Sequence, residues 1–196
     1  MAERPILFNG AMVHAILSGA KTQTRRAVKG VRRDNCMVLR KQSKTKVGIV
    51  THVLDAPGRR LCPFGLAGDR LWVRETWGIW DQGFDTSEES GFTVYRADTD
   101  RPAPKRWRPS IHMPRSECRL ALEITGVRVE RLQAISEDDC RAEGAAGGHG
   151  AIPGYAYSAT PREHFEHVWN STGGDWEKNP WVWAITFRKL EDITRG

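Results

Sequence analysis

The sequence predicts a mostly β protein of the α+β class, with short helices flanking the strands. Alternating or continuously apolar runs such as "RLWVRETWGIW", "RLALEITGVRVERL" and "PWVWAITFRKL" indicate strands, whereas only three segments carry a helical pattern. At 196 residues, the chain can bury one sizeable core. We therefore expect a single domain over residues 1–196, with a basic insertion at about 30–66 and a loop insertion at about 145–160.

The first part of the chain predicts a strand, a helix and a hairpin. "ILF" is a short apolar strand, and Asn9 is expected to cap a helix whose apolar stripe includes Met12 and Ile16. Gly19 marks the end of that helix, so Lys21 follows directly on a helix stop. "CMVLRKQ" and "KVGIVTHVL" predict a hairpin, and the prolines and glycines of "DAPGRRLCPFGLAGDR" predict a loop.

The rest of the chain predicts further strands, one long loop and two more helices. "RLWVRETWGIW" is expected to form a strand that pairs with "GFTVYRAD" across the acidic segment "DQGFDTSEES". Interior prolines make "RPAPKRWRPSIHMPR" an irregular loop of the kind that lines a pocket. "RLALEITGVRVERL" predicts two strands bent at Gly126. Ser136 is expected to cap the helix in "AISEDDCRAEG", with Asp139 at the reciprocal capping position, and "PREHFEHVWN" predicts the third helix.

Positive charge is concentrated near the start of the chain. The formal net charge is +6, but residues 4–54 hold eleven Lys or Arg and a single acid, Asp34, whereas residues 55–196 hold 19 bases and 22 acids. Such a block favours an anionic polymer or phosphate as the partner over a merely solvated face. We therefore expect this protein to bind nucleic acid, RNA before DNA, or a modified nucleoside.

The sequence carries no pattern of a membrane span, a disulfide framework or a metal site. No apolar run approaches the roughly 18 to 20 residues of a membrane helix, and "MAERPILFNG" lacks the features of a signal peptide, so we expect a cytoplasmic protein. The four cysteines show no C-x-x-C pairing, which predicts reduced thiols. His164 and His167 in "HFEH" lack an obvious third metal ligand, and nothing in the sequence implies a cofactor.

Five segments carry a family pattern in order along the chain: "ILFNGAMVHAILSGAKTQTRR", "GDRLWVRETW", "RWRPSIHMPR", "VERLQAISEDDCRAEG" and "NPWVWAITF". Together they resemble the ASCH domain family, a PUA-like β-barrel family, and specifically its longer members from phages and prophages. The resemblance covers nearly the whole chain, with residues 30–62 the least typical part. It implies a PUA-like β-barrel with flanking helices. For function it implies several activities, because the family includes an amidohydrolase that deacetylates N4-acetylcytidine and a ribonuclease.

The amidohydrolase branch of that family carries a lysine, a threonine three residues later, and a glutamate near the end of the helix after the central strands. Lys21 and Thr24 in "GAKTQTRR" and Glu143 in "SEDDCRAEG" match these positions, so the resemblance implies that they are catalytic. A lysine of lowered pKa can take the proton of a threonine hydroxyl, which then attacks an acyl carbon. Arg25 and Arg26 supply cations that would lower the pKa of Lys21, and Glu143 would orient Lys21, relay a proton or bind the base.

Other roles fit the same residues. In a purely structural role, Lys21 would pair with Glu143 and so hold the loop after the first helix in place. Thr24 would then satisfy backbone groups of an exposed turn. A non-catalytic reader of RNA or of a modified base would use these residues for binding, with a tryptophan stacked on the base, and a phage ribonuclease would cut RNA. The glycine-rich segment "AAGGHGAIPGYAY" is expected to be a mobile loop over the pocket. The candidate substrate-binding residues are Arg25, Arg26, Arg74, Glu75, Trp77, Trp107, Ser110 and His112.

Overall fold

A computed structural model of the chain describes residues 1–38, 50–80, 91–98 and 100–191. The helices are α1 (Gly10–Leu17), α2 (Glu137–Ala142) and α3 (Pro161–Ser171). The strands are β1 (Glu3–Leu7), β2 (Gln23–Ala27), β3 (Cys36–Val38), β4 (Val50–His52), β5 (Arg70–Arg74), β6 (Trp77–Trp80), β7 (Phe92–Tyr95), β8 (Ala121–Arg131), β9 (Gly148–His149), β10 (Ser158–Ala159) and β11 (Trp181–Lys189). Short 3-10 turns lie at Val53–Asp55, Ser110–His112, Arg115–Glu117 and Leu132–Ala134.

A mixed sheet of five strands, in the order β1, β5, β8, β11, β2, forms the centre of the fold. β1 runs parallel to β5, and the other neighbours are antiparallel. Apolar residues of this sheet and of α1 pack into the main core, among them Ile6, Val13, Ile16, Leu71, Leu122 and Ile185. The mostly β, α+β class predicted from the sequence is confirmed.

The two edge strands of the sheet approach each other without pairing. Among the described residues, β1 and β2 share no ladder, so a closed barrel stays a prediction of the family resemblance. A side chain links them instead, because Nη2 of Arg26 in β2 donates to the carbonyl oxygen of Leu7 in β1 over 2.6 Å. The sheet is therefore curled enough for its two edges to form one surface.

The segment "RLWVRETWGIW" forms two strands and not the single strand expected from its alternation. β5 pairs with β1 and β8, and only β6 pairs with β7. The break falls at Glu75, which is 1% exposed and accepts two hydrogen bonds from Arg119. A buried carboxylate needs such a partner. The chain leaves the β5 ladder at Glu75, where the carboxylate contacts Arg119.

The bend predicted at Gly126 is a bulge inside one continuous strand. β8 runs from Ala121 to Arg131, and its register with β11 shifts so that Gly126 faces Thr186 while Ile124 faces Phe187. Thr125 is thus the extra residue on the bulged strand. The sequence predicted the position of the irregularity but not its form.

The helix caps agree with the sequence except at Asp139. Asn9 accepts a hydrogen bond from the backbone of Met12, and Ser136 accepts one from the backbone of Asp139, as predicted. The Asp139 side chain makes no reciprocal cap and instead accepts hydrogen bonds from Gln23, Arg25 and Arg128. Those three partners include two cations, which stabilise the carboxylate better than a single backbone amide would.

Of the two predicted insertions, residues 145–160 are described completely and residues 30–66 in part. β3 and β4 pair antiparallel, as expected for the ends of the hairpin, while residues 39–49 between them lie outside the described residues, as does the acidic segment 81–90. The glycine-rich segment 145–157 contains β9, which pairs with β10 directly after the segment, and its mobility stays a prediction. None of the described helices has the length and apolar character that crossing a membrane requires.

Candidate functional site

A cavity of about 450 Å³ lies along the free edge of β2. Its wall is formed by α1, by residues of β2, by the segment just after α2 and by α3. Lys21, Thr24 and Glu143 all line it, although Glu143 is more than 100 positions away in sequence. The volume lies within the range of about 300 to 1,000 Å³ that is typical of small-molecule sites.

The Lys21 amine is held by Glu143. Nζ of Lys21 donates to Oε2 of Glu143 over 2.6 Å and to the carbonyl oxygen of Glu143 over 2.8 Å, and the backbones of the two residues form a β-bridge. Lys21 is 2% exposed, and the Glu143 side chain is 5% exposed. Burial lowers the pKa of Lys21, Arg26 and Arg25 lower it further, and the Glu143 carboxylate opposes these effects.

Local backbone geometry brings α2 to Lys21. The backbone N–H of Lys21 donates to Ala15 of α1, and that of Thr22 donates to Ala142, the last residue of α2. Gly144 has φ +90°, and a Cβ atom there would lie 3.1 Å from the Cβ of Ala15. A glycine at this position therefore lets the end of α2 lie against α1.

Arg25 is a buried structural cation and not a free ligand for phosphate. Its side chain is fully buried and donates to Glu130 over 2.6 and 2.8 Å, to Asp139 over 2.8 Å and to Glu143 over 3.2 Å. Despite the burial, these carboxylates raise the pKa of Arg25. Glu143 thus lies between two cations, with one oxygen on Lys21 and the other on Arg25.

The register of the sheet explains how Arg25 meets its partners. Arg25 of β2 faces Ala184 of β11, and Ala184 faces Arg128 of β8 on its other side. The methyl group of Ala184 is small, so the long side chains of β2 and β8, the two strands that flank β11, can meet above it. Arg128 in turn donates to Glu130 and Asp139, so the cluster spans three strands and α2.

Thr24 lies in a strand and is buried, which corrects the expectation of an exposed turn. It is 3% exposed, faces Ile185 across β2 and β11, and points to the opposite face of the strand from Arg25. Within the described part of the chain its hydroxyl has no hydrogen-bond partner, so it does not satisfy turn backbone. The hydroxyl is therefore available to a ligand in the cavity.

Arg26 is the cation of the cavity wall that lacks a carboxylate partner among the described residues. Its guanidinium lies 5.2 Å from the centre of the Phe8 ring and donates to Leu7, while its Nε is buried without a partner in the described structure. Burial lowers the pKa of Arg26. A buried donor without an acceptor is costly, so a ligand that accepts from this guanidinium would be stabilised.

α3 contributes the opposite wall, with aromatic rings and two histidines. Phe165, Trp169, His164 and His167 all line the cavity. Nδ1 of His164 accepts the Gly147 backbone N–H over 3.3 Å, which places the proton of the neutral ring on Nε2. Burial lowers the pKa of His164, and His167 lowers it further, so the neutral ring is favoured.

The remaining candidate residues lie away from the cavity. Arg74 donates to the carbonyl of Ile111, Glu75 is bound to Arg119, and Trp77 is 4% exposed in a small core with Tyr95, Met113 and Cys118. His112 lines a separate, basic depression, and Ser110 begins the 3-10 turn that contains it, while Trp107 is half-buried on the loop before it.

Sequence reasoning missed two of the three acids that hold Arg25, namely Glu130 and Asp139, and the whole wall formed by α3. Glu130, Asp139 and Arg128 belong to segments that were assigned as ordinary strand and cap residues. The pair His164 and His167, noted only as an incomplete metal site, was the available signal, because its spacing places both rings on one helix face. Among the described residues, no group of three metal-binding side chains is present.

Comparison with known proteins gives one distant structural likeness. No family model matches the chain, and no curated protein matches it. A crystal structure of an ASCH domain from Lactobacillus crispatus JV V101 is 12% identical, with a TM-score of 0.37, over 96% of this chain and 79% of that chain. At that TM-score the likeness carries no argument about function, which must be argued from the cavity itself.

The contact between Glu143 and Lys21 predicts a pH-dependent effect on stability. Glu143→Gln should lower the free energy of unfolding at pH 7 by about 3 kcal/mol, because it leaves the Lys21 cation buried without its carboxylate. Lys21 binds its proton less tightly in the folded protein than in the unfolded chain. Removal of the carboxylate lowers the pKa of Lys21 further in the variant, so between the Lys21 pKa of the variant and that of the wild type the folded variant holds fewer protons, and the loss should shrink as pH rises through this window. Urea unfolding of the wild type and of Glu143→Gln from pH 7 to 10 measures this difference in the free energy of unfolding.

The double variant Lys21→Met/Glu143→Gln is the matched control. It removes both charges of the pair, so it should be more stable at pH 7 than Glu143→Gln alone, and its stability should lack the pH dependence that titration of Lys21 gives to the other two proteins. Equal stability of the single and double variants across this pH range would show that Lys21 is not a buried cation held by Glu143.

Proposed function

We propose that this protein is a hydrolase that removes an acyl group from the exocyclic amine of a nucleobase, as in N4-acetylcytidine, and that it is an ASCH, PUA-like protein. One observation carries the proposal. A lysine amine held on a buried carboxylate and a threonine hydroxyl without a hydrogen-bond partner line the same cavity. The family resemblance supplies the substrate class, and the following steps rest on the residues.

Lys21 has the form of a general base in this cavity. A neutral amine carries two N–H donors and one lone pair, and Glu143 offers two acceptors to Nζ of Lys21. With both donors engaged, the lone pair is the part of the amine left to accept a proton. Burial lowers the pKa of Lys21, which raises the fraction of neutral amine near neutral pH.

Thr24 serves as the nucleophile in this proposal. Its Oγ bonds to the acyl carbon as its proton passes to Lys21, and the carbonyl electrons move to the oxygen. When that intermediate collapses, the carbon–nitrogen bond breaks and the leaving amine takes the proton from Lys21. Water then attacks the acyl group on Thr24, gives a proton to Lys21, and Thr24 leaves with that proton. The products are the free amine and a carboxylic acid, which ionises.

Arg26 supports the charged intermediate. Its guanidinium lines the cavity, has no carboxylate partner among the described residues and keeps an unpartnered Nε. A fixed cation with free donors stabilises an oxyanion more than the neutral carbonyl that precedes it, which lowers the barrier. The same donors would bind the carbonyl oxygen of the acyl group before reaction.

The wall formed by α3 would bind the base. Phe165 and Trp169 offer apolar ring surface, and the neutral His164 ring offers an Nε2–H donor for a carbonyl oxygen of a pyrimidine. Apolar walls with a few polar groups are the usual composition of a small-molecule site. The cavity therefore suits a flat, polar-edged ring better than a charged chain.

A non-catalytic reader is the second candidate, favoured by the tight contact of Lys21 with Glu143, which also pins the end of α2 to β2. In a reader this contact would serve structure and binding only, and Thr24 would add at most one hydrogen bond to the ligand. A ribonuclease would instead cut RNA.

Substitution of Thr24 separates the hydrolase from the reader. Thr24→Ala should lower cytidine release from N4-acetylcytidine by about a thousandfold, because the nucleophile is lost, whereas Thr22→Ala should leave it unchanged. Thr22 is an exposed threonine two positions away. Chromatography of the released cytidine, with proteins at matched folded concentration, measures the effect.

Two results would contradict the hydrolase, and a third would contradict Thr24 as its nucleophile. Wild-type protein that binds the nucleoside but releases no cytidine is a reader, in which Thr24→Ala weakens binding by no more than about tenfold. Full release by Thr24→Ala would exclude this nucleophile. Cleavage of an RNA oligonucleotide without release of cytidine from the acetylated nucleoside would indicate the ribonuclease.

The pH dependence of the rate tests Lys21 as the base. kcat/KM should rise with pH through the pKa of Lys21, since the neutral amine is the active form, with a midpoint below the ordinary lysine value of about 10.4. Glu143→Gln should move the midpoint to lower pH, because it removes the carboxylate that favours the charged amine. Lys21→Arg should abolish the rate at every pH, since a guanidinium stays protonated. An unchanged midpoint in Glu143→Gln would exclude Lys21 as the titrating group.

A further inference from the structure

Two further depressions lie on the described surface, and one of them adjoins the cavity. Asn9 and Ala11 of the cavity wall also line a second depression of about 480 Å³, the middle groove, which contains Thr76, the exposed Arg96 and Glu75, whose carboxylate is paired with Arg119. Thr76 directly precedes β6, and β6 borders a third depression of about 420 Å³, the basic pocket. The middle groove therefore adjoins the cavity, and the basic pocket is lined by a residue of the strand that follows Thr76.

The basic pocket is lined by cations and by no carboxylate. Its wall consists of Lys105, Arg106, Arg108 and His112, together with Ile79 and Pro109. All four basic residues are exposed. Within the described part of the chain, none of the three Lys and Arg residues forms an ion pair, so their charge is available to a partner.

The loop that carries these cations is held in place on β6. The backbones of Arg108 and Trp77 donate to each other over 2.7 and 3.2 Å, and the Arg108 guanidinium lies 4.8 Å from the centre of the Trp77 ring. A Cβ atom at Gly78 would lie 2.5 Å from Cγ of Pro104, so the glycine allows the loop to lie directly on the strand. Positions fixed in this way bind a ligand with less ordering cost than free side chains.

The described part of the N-terminal basic block offers less free charge than its composition suggests. Arg4 pairs with Asp69 over 3.1 Å, Arg32 lies 3.5 Å from Asp34, and Arg25 is buried among three carboxylates. By contrast, residues 101–114 contain four Lys or Arg and no acid. In the described part of the block, Lys29 and Arg33 are the exposed cations without an ion pair, whereas all four cations of this loop lack one among the described residues.

We propose that the middle groove and the basic pocket bind the phosphodiester backbone of a single-stranded nucleic acid whose modified base enters the cavity. The proposal rests on the proposed function for the identity of the base, and it extends the ligand from a nucleoside to a polymer. A base must leave its stack to enter a closed site, which favours a single strand. Arg96, Lys105, Arg106 and Arg108 then lie where phosphates beside that base would pass.

Salt dependence of binding tests the groove. Fluorescence anisotropy with a labelled single-stranded oligoribonucleotide, at several salt concentrations, gives the slope of log affinity against log salt. The variant Lys105→Gln/Arg106→Gln/Arg108→Gln should reduce the magnitude of that slope by about 2, since each phosphate contact on a single strand contributes about 0.7. Circular dichroism and thermal unfolding show that the variant is folded.

The control variant Lys29→Gln/Arg33→Gln/Arg59→Gln removes the same charge from exposed residues elsewhere on the described surface. It should keep the wild-type slope. An unchanged slope in the pocket variant, or an equal reduction in the control, would overturn the proposal, because net charge and not the groove would then govern binding.

Further arms identify the ligand and keep the two proposals apart. Cytidine monophosphate should bind both variants equally, because one phosphate does not span the groove, while an oligodeoxyribonucleotide of the same sequence shows whether the sugar matters. Binding of phosphatidylserine vesicles with the same dependence on the pocket would overturn a nucleic-acid groove. Release of cytidine from free N4-acetylcytidine by wild-type protein tests the hydrolase alone, so either proposal can fail while the other stands.

Discussion

The carboxylate of Glu143, buried between Lys21 and Arg25, is the contact on which the fold and the candidate site both depend. It joins the end of α2 to the edge strand β2, and through Arg25 it joins both to Glu130 and Asp139. Two cations surround this carboxylate, and burying any of these charges alone would be strongly unfavourable. The charges of this cluster are therefore stable only in one another's presence. Three of its members, Lys21, Arg25 and Glu143, form part of the cavity wall.

The same cluster assigns different roles to neighbouring cations of β2. On one face of the strand, Arg25 donates its hydrogen bonds to carboxylates and so stabilises the fold. Arg26 lies on the other face, and its Nε has no partner in the described structure. Lys21 is intermediate between these two arginines. Glu143 accepts two hydrogen bonds from Nζ of Lys21 and leaves the third hydrogen-bonding position of the amine for another partner. A structural role and a chemical role for Lys21 are thus compatible, since the contact that anchors α2 also orients the amine.

Local sequence signals predicted much of the fold and little of the site network. The Asn9 and Ser136 caps are short-range patterns, and both are present in the structure. The break at Glu75 was missed because its partner, Arg119, is 44 positions away, and Arg25 was taken for a substrate-binding cation because its acids lie more than 100 positions away. The resemblance brought Lys21, Thr24 and Glu143 together, but only the structure shows that Thr24 is buried in a strand.

The central claim is that Thr24, activated by a Lys21 amine held on Glu143, carries the acyl group during turnover. Mass spectrometry of the protein, quenched during the first turnovers of N4-acetylcytidine, measures this directly. We expect an acetyl group on Thr24, distinguished from Thr22 by fragmentation, and no acetyl group at that position in Lys21→Met. Release of cytidine with no acetyl group on Thr24 at any quench time, or with the acetyl group on another residue, would contradict it.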